Sequence, residues 1–295
     1  MTASIAIVVF PLISALLYAF SAMLLKRSSQ LGVGLWRTTF VANMIVAVLF
    51  SLMWLRGGEP VHTNLLWQPA LIALCLFGGQ TLQFLALERG DVSVAVPVFG
   101  IKVVLVAFFT PLLTGDAVGV KQWLAAVLSV AGIILLNRRD VNRPPQHLGV
   151  TLISGGLGAV CFAMFDVLVQ RWGPAWGAGR LLPMIFWMNA LLSLTLIFKF
   201  SAPLRAVPRA AWPWLTLGSA LLGTQSILFV STLAIYGKAT AANVIYSSRG
   251  LLSVLLVWVI GHWFANEEQH LSRSIMRWRL AGAAVMLSAI ALVVT

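Results

Sequence analysis

Lys102 and Arg249 lie near the middle of two long apolar runs, Val92 to Leu113 and Ala239 to Phe264. A cation at the centre of a bilayer costs about 2.5 to 3.5 kcal/mol on insertion scales, so each needs a compensating role. Phe99 precedes Lys102 by three residues and Tyr246 precedes Arg249 by three. Residues three apart share a helix face, so each run presents an aromatic surface beside a cation. That combination suits a solute with a carboxylate or phosphate and an organic body. Asp166 is the clearly embedded acid, and one carboxylate cannot neutralise two cations. Two roles are open to it: neutralising Arg249, the plainer one, or relaying a proton.

The two cations also correspond in an internal duplication. Gly90 to Val103 aligns with Gly237 to Gly250 without a gap, pairing Gly90 with Gly237, Ser93 with Thr240, Ala95 with Ala242, Phe99 with Tyr246 and Lys102 with Arg249. Ala15 to Arg27 (ALLYAFSAMLLKR) resembles Ala159 to Arg171 (AVCFAMFDVLVQR), which places Tyr18 opposite Phe162. Gln80 and Phe84 match Gln225 and Phe229. Among the neutral polar residues in the runs, Gln80, Gln225 and Asn243 are expected to line a cavity, with Tyr18 beside them. Pro97 removes one helical hydrogen bond close to Lys102, and Gly100, Ser247, Ser248 and Gly250 permit close packing or local unwinding around a ligand.

The elements that must position these groups are membrane helices. The 295-residue chain is 60% hydrophobic and 9% charged, with a mean hydropathy of +0.95, where soluble domains carry roughly 25% charged residues. Apolar runs recur ten times: 5–25, 35–55, 65–87, 92–113, 118–136, 148–169, 181–198, 211–235, 239–264 and 275–294. Lipid cannot satisfy backbone polar groups and strand-like alternation is missing, so these runs must be helices. The expected fold is an all-α membrane protein, ten transmembrane helices arranged as an inverted repeat of two five-helix halves. Residues 1–137 form the first half, 138–147 a cytoplasmic linker and 148–295 the second half. Five helices per half make the second enter the membrane in the opposite sense.

The first run lacks a basic region before it and is about long enough to span a 30 Å core, so it reads as a transmembrane helix and not a cleaved signal. The odd-numbered connections carry twelve basic residues: Lys26, Arg27, Arg89, Arg138, Arg139, Arg143, Lys199, Arg205, Arg209, Arg273, Arg277 and Arg279. The even-numbered ones carry five: Arg56, Lys121, Arg171, Arg180 and Lys238. The bias places the odd connections in the cytoplasm and both termini outside.

Short connections leave no room for a soluble catalytic domain. The net charge of +12 is spread along them, which argues against nucleic-acid binding. Cys75 and Cys161 lie in apolar runs, and His62, His147, His262 and His270 have no ligand spacing, so neither a metal site nor a cofactor is expected. The expected partners are a small-molecule substrate and the lipid bilayer, with the chain a monomer or homodimer.

Ala86 to Asn137 carries a family resemblance. ALERGDVSVAVPVFGIKVVLVAFFTPLLTGD followed by VKQWLAAVLSVAGIILLN has small residues after a short loop, a proline-containing helix, a Leu-Leu-x-Gly-acid ending at Leu112 to Asp116 and a Gly-containing final helix. Ala234 to Val294 repeats it more loosely, with Glu267 and Glu268 near the corresponding acidic end. The pattern resembles the drug/metabolite transporter superfamily, in particular its EamA-like members. The organophosphate and nucleotide-sugar branches use basic residues of the fourth and ninth helices to hold anions, a role the resemblance implies for Lys102 and Arg249. Small multidrug-resistance relatives place a glutamate in the first helix, whereas Ile5 to Leu25 holds no ionisable residue but Tyr18.

The expected function is therefore secondary active transport of a small polar organic metabolite, anionic or zwitterionic, such as an amino acid, carboxylate or organic phosphate. Export across a bacterial inner membrane is the favoured direction. Drug or lipophilic-cation efflux, or flipping of a lipid-linked phosphate, is the alternative on the same fold. A membrane-embedded enzyme using Asp166 and His147 as acid and base ranks below both.

Overall fold

Each apolar run satisfies its own backbone by winding into a helix, as hydrocarbon surroundings demand. The computed structural model describes residues 3–60, 63–90, 92–137, 147–260 and 273–294. The α-helices are α1 (Ala3–Gln30), α2 (Leu35–Ser51), α3 (Trp67–Arg89), α4 (Val92–Gly100), α5 (Lys102–Thr114), α6 (Val120–Leu136), α7 (Leu148–Trp176), α8 (Ala178–Leu192), α9 (Trp212–Tyr236), α10 (Ala239–Tyr246), α11 (Arg249–Ile260) and α12 (Arg273–Val294). Among the described residues eight helical segments are long and apolar enough to cross a bilayer, and Val120–Leu136 is a shorter apolar helix. The protein is an all-α integral membrane protein. Most of the linker expected at 138–147, and His62, His262, His270, Glu267 and Glu268, lie outside the described residues.

Several helices outlast their apolar runs. α1 continues through Lys26 and Arg27 to Gln30, and α7 continues through Gln170 and Arg171 to Trp176. α7 then stops at Gly177, whose φ of 72° is open to glycine, and whose added Cβ would lie 2.9 Å from the Cα of Gly58. The fourth and ninth apolar runs are each interrupted. α4 ends at Gly100 and α5 begins at Lys102, with Ile101 N–H bonded to Val98 O at 3.2 Å in a tight turn. α10 ends at Tyr246 and α11 begins at Arg249, with Ser248 N–H bonded to Ile245 O at 3.1 Å. Each central cation is thus the first residue of a new helical segment.

Helices whose sequences align pack in corresponding ways. α1 lies along α9, and its counterpart pair α7 and α3 pack together in the same way. α4 and α5 rest on α7, as α10 and α11 rest on α1, while α6 and α12 pack on each other. The α6–α12 crossing depends on glycine: a Cβ on Gly282 would lie 2.8 Å from Leu136 N and 2.9 Å from Gly132 O. Such close backbone approach is how membrane helices gain van der Waals contact where lipid offers no hydrophobic drive. A buried cluster including Phe50, Trp176, Leu181, Leu182, Ile185 and Phe186 fills the space between α2, α7 and α8. Phe50 and Phe186 stack with ring centroids 3.7 Å apart. Phe186 carries this cluster to the cavity wall.

Candidate binding cavity

A cavity of about 570 Å³ opens among α1, α2, α3, α7 and α9 and reaches the two interruption points. Its size falls within the range of about 300 to 1,000 Å³ usual for small-molecule sites. Residues paired by the duplication meet on its wall: Tyr18 and Phe162, Gln80 and Gln225, Phe84 and Phe229, Phe99 and Tyr246, Lys102 and Arg249. The aromatic contacts are paired too. Arg249 stands 4.8 Å over the Tyr18 ring, and Lys102 stands 5.8 Å over the ring of Phe162, the Tyr18 counterpart. Lys102 is also 5.7 Å from the Phe229 ring centroid.

The two cations differ in their counter-charge. Lys102 Nζ lies 2.7 Å from Asp166 Oδ2, with side chains 14% and 1% exposed. Asp166 therefore serves Lys102, which corrects the expectation that it neutralises Arg249. The reason is register: α5 packs directly on α7, which carries Asp166, whereas Arg249 begins α11, which packs on α1. Asn243 is corrected as well. It does not line the cavity; its amide donates to Asp166 Oδ2 at 2.7 Å and to Ala239 O at 3.0 Å, holding the acid from behind.

Arg249 has no carboxylate within ion-pair distance among the described residues. Its guanidinium packs against Tyr18 at 4.8 Å and Tyr246 at 4.7 Å, in the corner formed by the two rings, which meet edge to face with centroids 6.1 Å apart. Tyr246 stacks on Phe229 and donates its hydroxyl to Gln225 Oε1 at 3.0 Å, which fixes the ring. Gln80 is held differently: it exchanges hydrogen bonds with Asn43, whose amide also reaches Ser193 Oγ at 2.7 Å. Such a wall offers planar stacking surfaces and one uncompensated cation.

One end of the cavity is open and the other is shut. Exposed Lys26 and Ser29, with Leu35 and Leu87, form the mouth where α1 and α3 end and α2 begins. At the opposite end Gln170 donates to Asp116 Oδ2 at 2.7 Å and accepts from the Ala239 N–H at 2.8 Å, tying α7 to α10 and to the turn after α5. Arg171 donates to Leu113 O, and the hydroxyls of Thr110 and Thr240 meet at 3.4 Å, closing the same seam. The sequence reading missed these groups. The alignment that pairs Tyr18 with Phe162 also pairs Lys26 with Gln170 and Ala22 with Asp166, and it was the available signal. His147 caps the start of α7, 19 residues from Asp166, or about 28 Å along the helix axis, so the two cannot act as one acid–base pair.

Residues 4–138 match the EamA-like transporter family. This match supports membership of the drug/metabolite transporter superfamily. Over 94 residues this EamA-like transporter is 29% identical to the probable 4-amino-4-deoxy-L-arabinose-phosphoundecaprenol flippase subunit ArnE of Pseudomonas syringae pv. syringae (strain B728a). That match covers 32% of the transporter and 87% of the flippase subunit. A protein of known crystal structure superposes on the transporter with a TM-score of 0.77 at 19% identity, covering 97% of both chains, and this likeness shows the fold alone.

Proposed function

We propose that this EamA-like transporter is a secondary active carrier that moves a small organic anion or zwitterion (an amino acid, carboxylate or organic phosphate) through the cavity by alternating access. The carrying observation is Arg249, packed against two tyrosines on the cavity wall without an acidic partner among the described residues. Its guanidinium binds the anionic head, while Tyr18, Phe99, Phe229 and Tyr246 take the organic body. The sequence holds no nucleotide-binding motif, so the drive comes from a gradient of an ion or a counter-solute. A cavity open at one end and latched at the other fits one end state of such a carrier. In an inverted repeat of residues 1–137 and 148–295, exchanging the roles of the halves opens the other end.

The uneven basic residues support a mouth that faces the cytoplasm and termini that lie outside; the reading adds a bacterial inner membrane, with export as the working direction. In a variant with Cys75 and Cys161 replaced by serine, Glu59→Cys is expected to react with an impermeant thiol reagent on intact cells, and Ser29→Cys only after permeabilisation. The opposite pattern would reverse the orientation.

Flux tests the transport reading. Vesicles containing the purified protein and preloaded with unlabelled solute should accumulate at least one of labelled phenylalanine, glutamate or glucose 6-phosphate above protein-free vesicles. A second reading, translocation of a phosphate-headed lipid, is favoured by the flippase subunit among the relatives. It prevails if all three soluble solutes stay at background while undecaprenyl phosphate exchanges between leaflets. If neither class moves, both readings fall.

A further inference from the structure

We infer that Asp166 sets the charge of the solute the cavity accepts, restricting the anionic head to a single negative charge. This rests on the anion-binding reading above and adds to it the class of anion. The deep wall of the cavity carries Lys102, Arg249 and Asp166, while Lys26 stands at the mouth. The 2.7 Å contact between Lys102 and Asp166 cancels one cation, so the deep wall holds one positive charge in excess, and it resides on Arg249. A carboxylate matches that charge. A phosphate monoester, whose second pKa is about 6, brings nearly two negative charges at pH 7.5 into a site with one to offer. The surplus charge would be desolvated without a partner, the situation that costs most in a low-dielectric interior.

Two further observations point to function and not to stability. Asp166 is 1% exposed, yet its Oδ1 has no hydrogen-bond partner among the described residues, while Oδ2 takes both Lys102 and Asn243. A half-satisfied buried carboxylate is a poor stabilising device. The second observation is the duplication. The residue aligned with Asp166 is Ala22, which also lines the cavity on α1, the helix against which Arg249 packs through α11. The second half thus supplies Lys102 of the first with a counter-ion, while the first half carries only a methyl group at the corresponding place. A single position accounts for the excess of one charge.

The test compares benzoate with phenyl phosphate, two probes with the same ring and different head charge, by thermal shift at pH 7.5 on the full-length protein. Wild-type protein is expected to bind benzoate more tightly. Asp166→Asn, which raises the excess to two, is expected to move the affinity ratio at least about tenfold toward phenyl phosphate. Lys102→Met/Asp166→Asn, which returns it to one, should restore the preference for benzoate. Ala22→Asp removes the excess and should weaken both probes at least about tenfold; because Ala22 is exposed, this variant keeps the test decisive even if Asp166→Asn does not fold. Binding of both probes with a ratio indifferent to Asp166→Asn, or affinities indifferent to Ala22→Asp, overturns the charge assignment alone. If neither probe binds the wild type or any variant, the anion-binding reading falls and takes this inference with it.

Discussion

Lys102→Met is expected to destabilise the ligand-free protein by about 3 kcal/mol, and Lys102→Met/Asp166→Asn to recover most of that loss. With Asp166 read as the partner of Arg249, the sequence leaves Lys102 an uncompensated charge, so replacing it with methionine should leave stability unchanged or improved. The 2.7 Å ion pair reverses that expectation for Lys102. Removing one partner of a buried pair in soluble proteins costs about 3 to 5 kcal/mol, because the other charge is left stranded. Lys102 is 14% exposed, which places the loss at the lower end. Removing both partners leaves two neutral side chains and no stranded charge. The check is the melting temperature of the three purified proteins without ligand. If Lys102→Met melts with the wild type, Asp166 tolerates burial alone and the pair contributes nothing.

Arg249→Met is expected to do the opposite. Its guanidinium has no acidic partner among the described residues to strand, so the ligand-free melting temperature should stay at the wild-type value. Its loss should weaken anion binding by one to two orders of magnitude, since a charge-assisted contact contributes about 1.5 to 3 kcal/mol. Benzoate titration by thermal shift measures both quantities in one experiment. Unchanged affinity in Arg249→Met would remove the anion anchor from the cavity, and a large fall in stability would make Arg249 a structural residue. The pair of methionine variants therefore separates two cations that occupy equivalent places in the duplication.

How far the sequence reached can be read from particular residues. The aligned segments brought Tyr18, Gln80, Phe99, Lys102, Gln225, Arg249 and Tyr246 to notice, and the structure gathers all seven on one wall. A duplication shows which positions are equivalent without any knowledge of packing. It does not say which neighbour a side chain meets. The partner of Asp166 depends on how α7 is rotated against α5 and α11, and helices as apolar as these on every side offer no stripe from which to read rotation. Asn243 failed for the same reason, since a polar residue in an apolar helix can face a cavity or back a buried acid equally well. Lys26 and Gln170 were hidden because α1 and α7 run past their apolar stretches, and residues assigned to connections proved to be helical.

The Gln170 latch breaks a degeneracy. A carrier made of two identical inverted halves would have two end states of equal energy, each closure being the image of the other. Gln170 closes its end with both functions of an amide, donating to Asp116 and accepting from the Ala239 backbone. Its counterpart Lys26 has three donors and no acceptor, so it cannot reproduce that bridge at the mouth. One end is therefore held by a neutral amide that dissolved salt scarcely touches, and the other offers an ammonium whose attractions salt screens. In the alternating-access carrier proposed above, the two end states therefore differ in energy, and ionic strength is a handle on the balance between them.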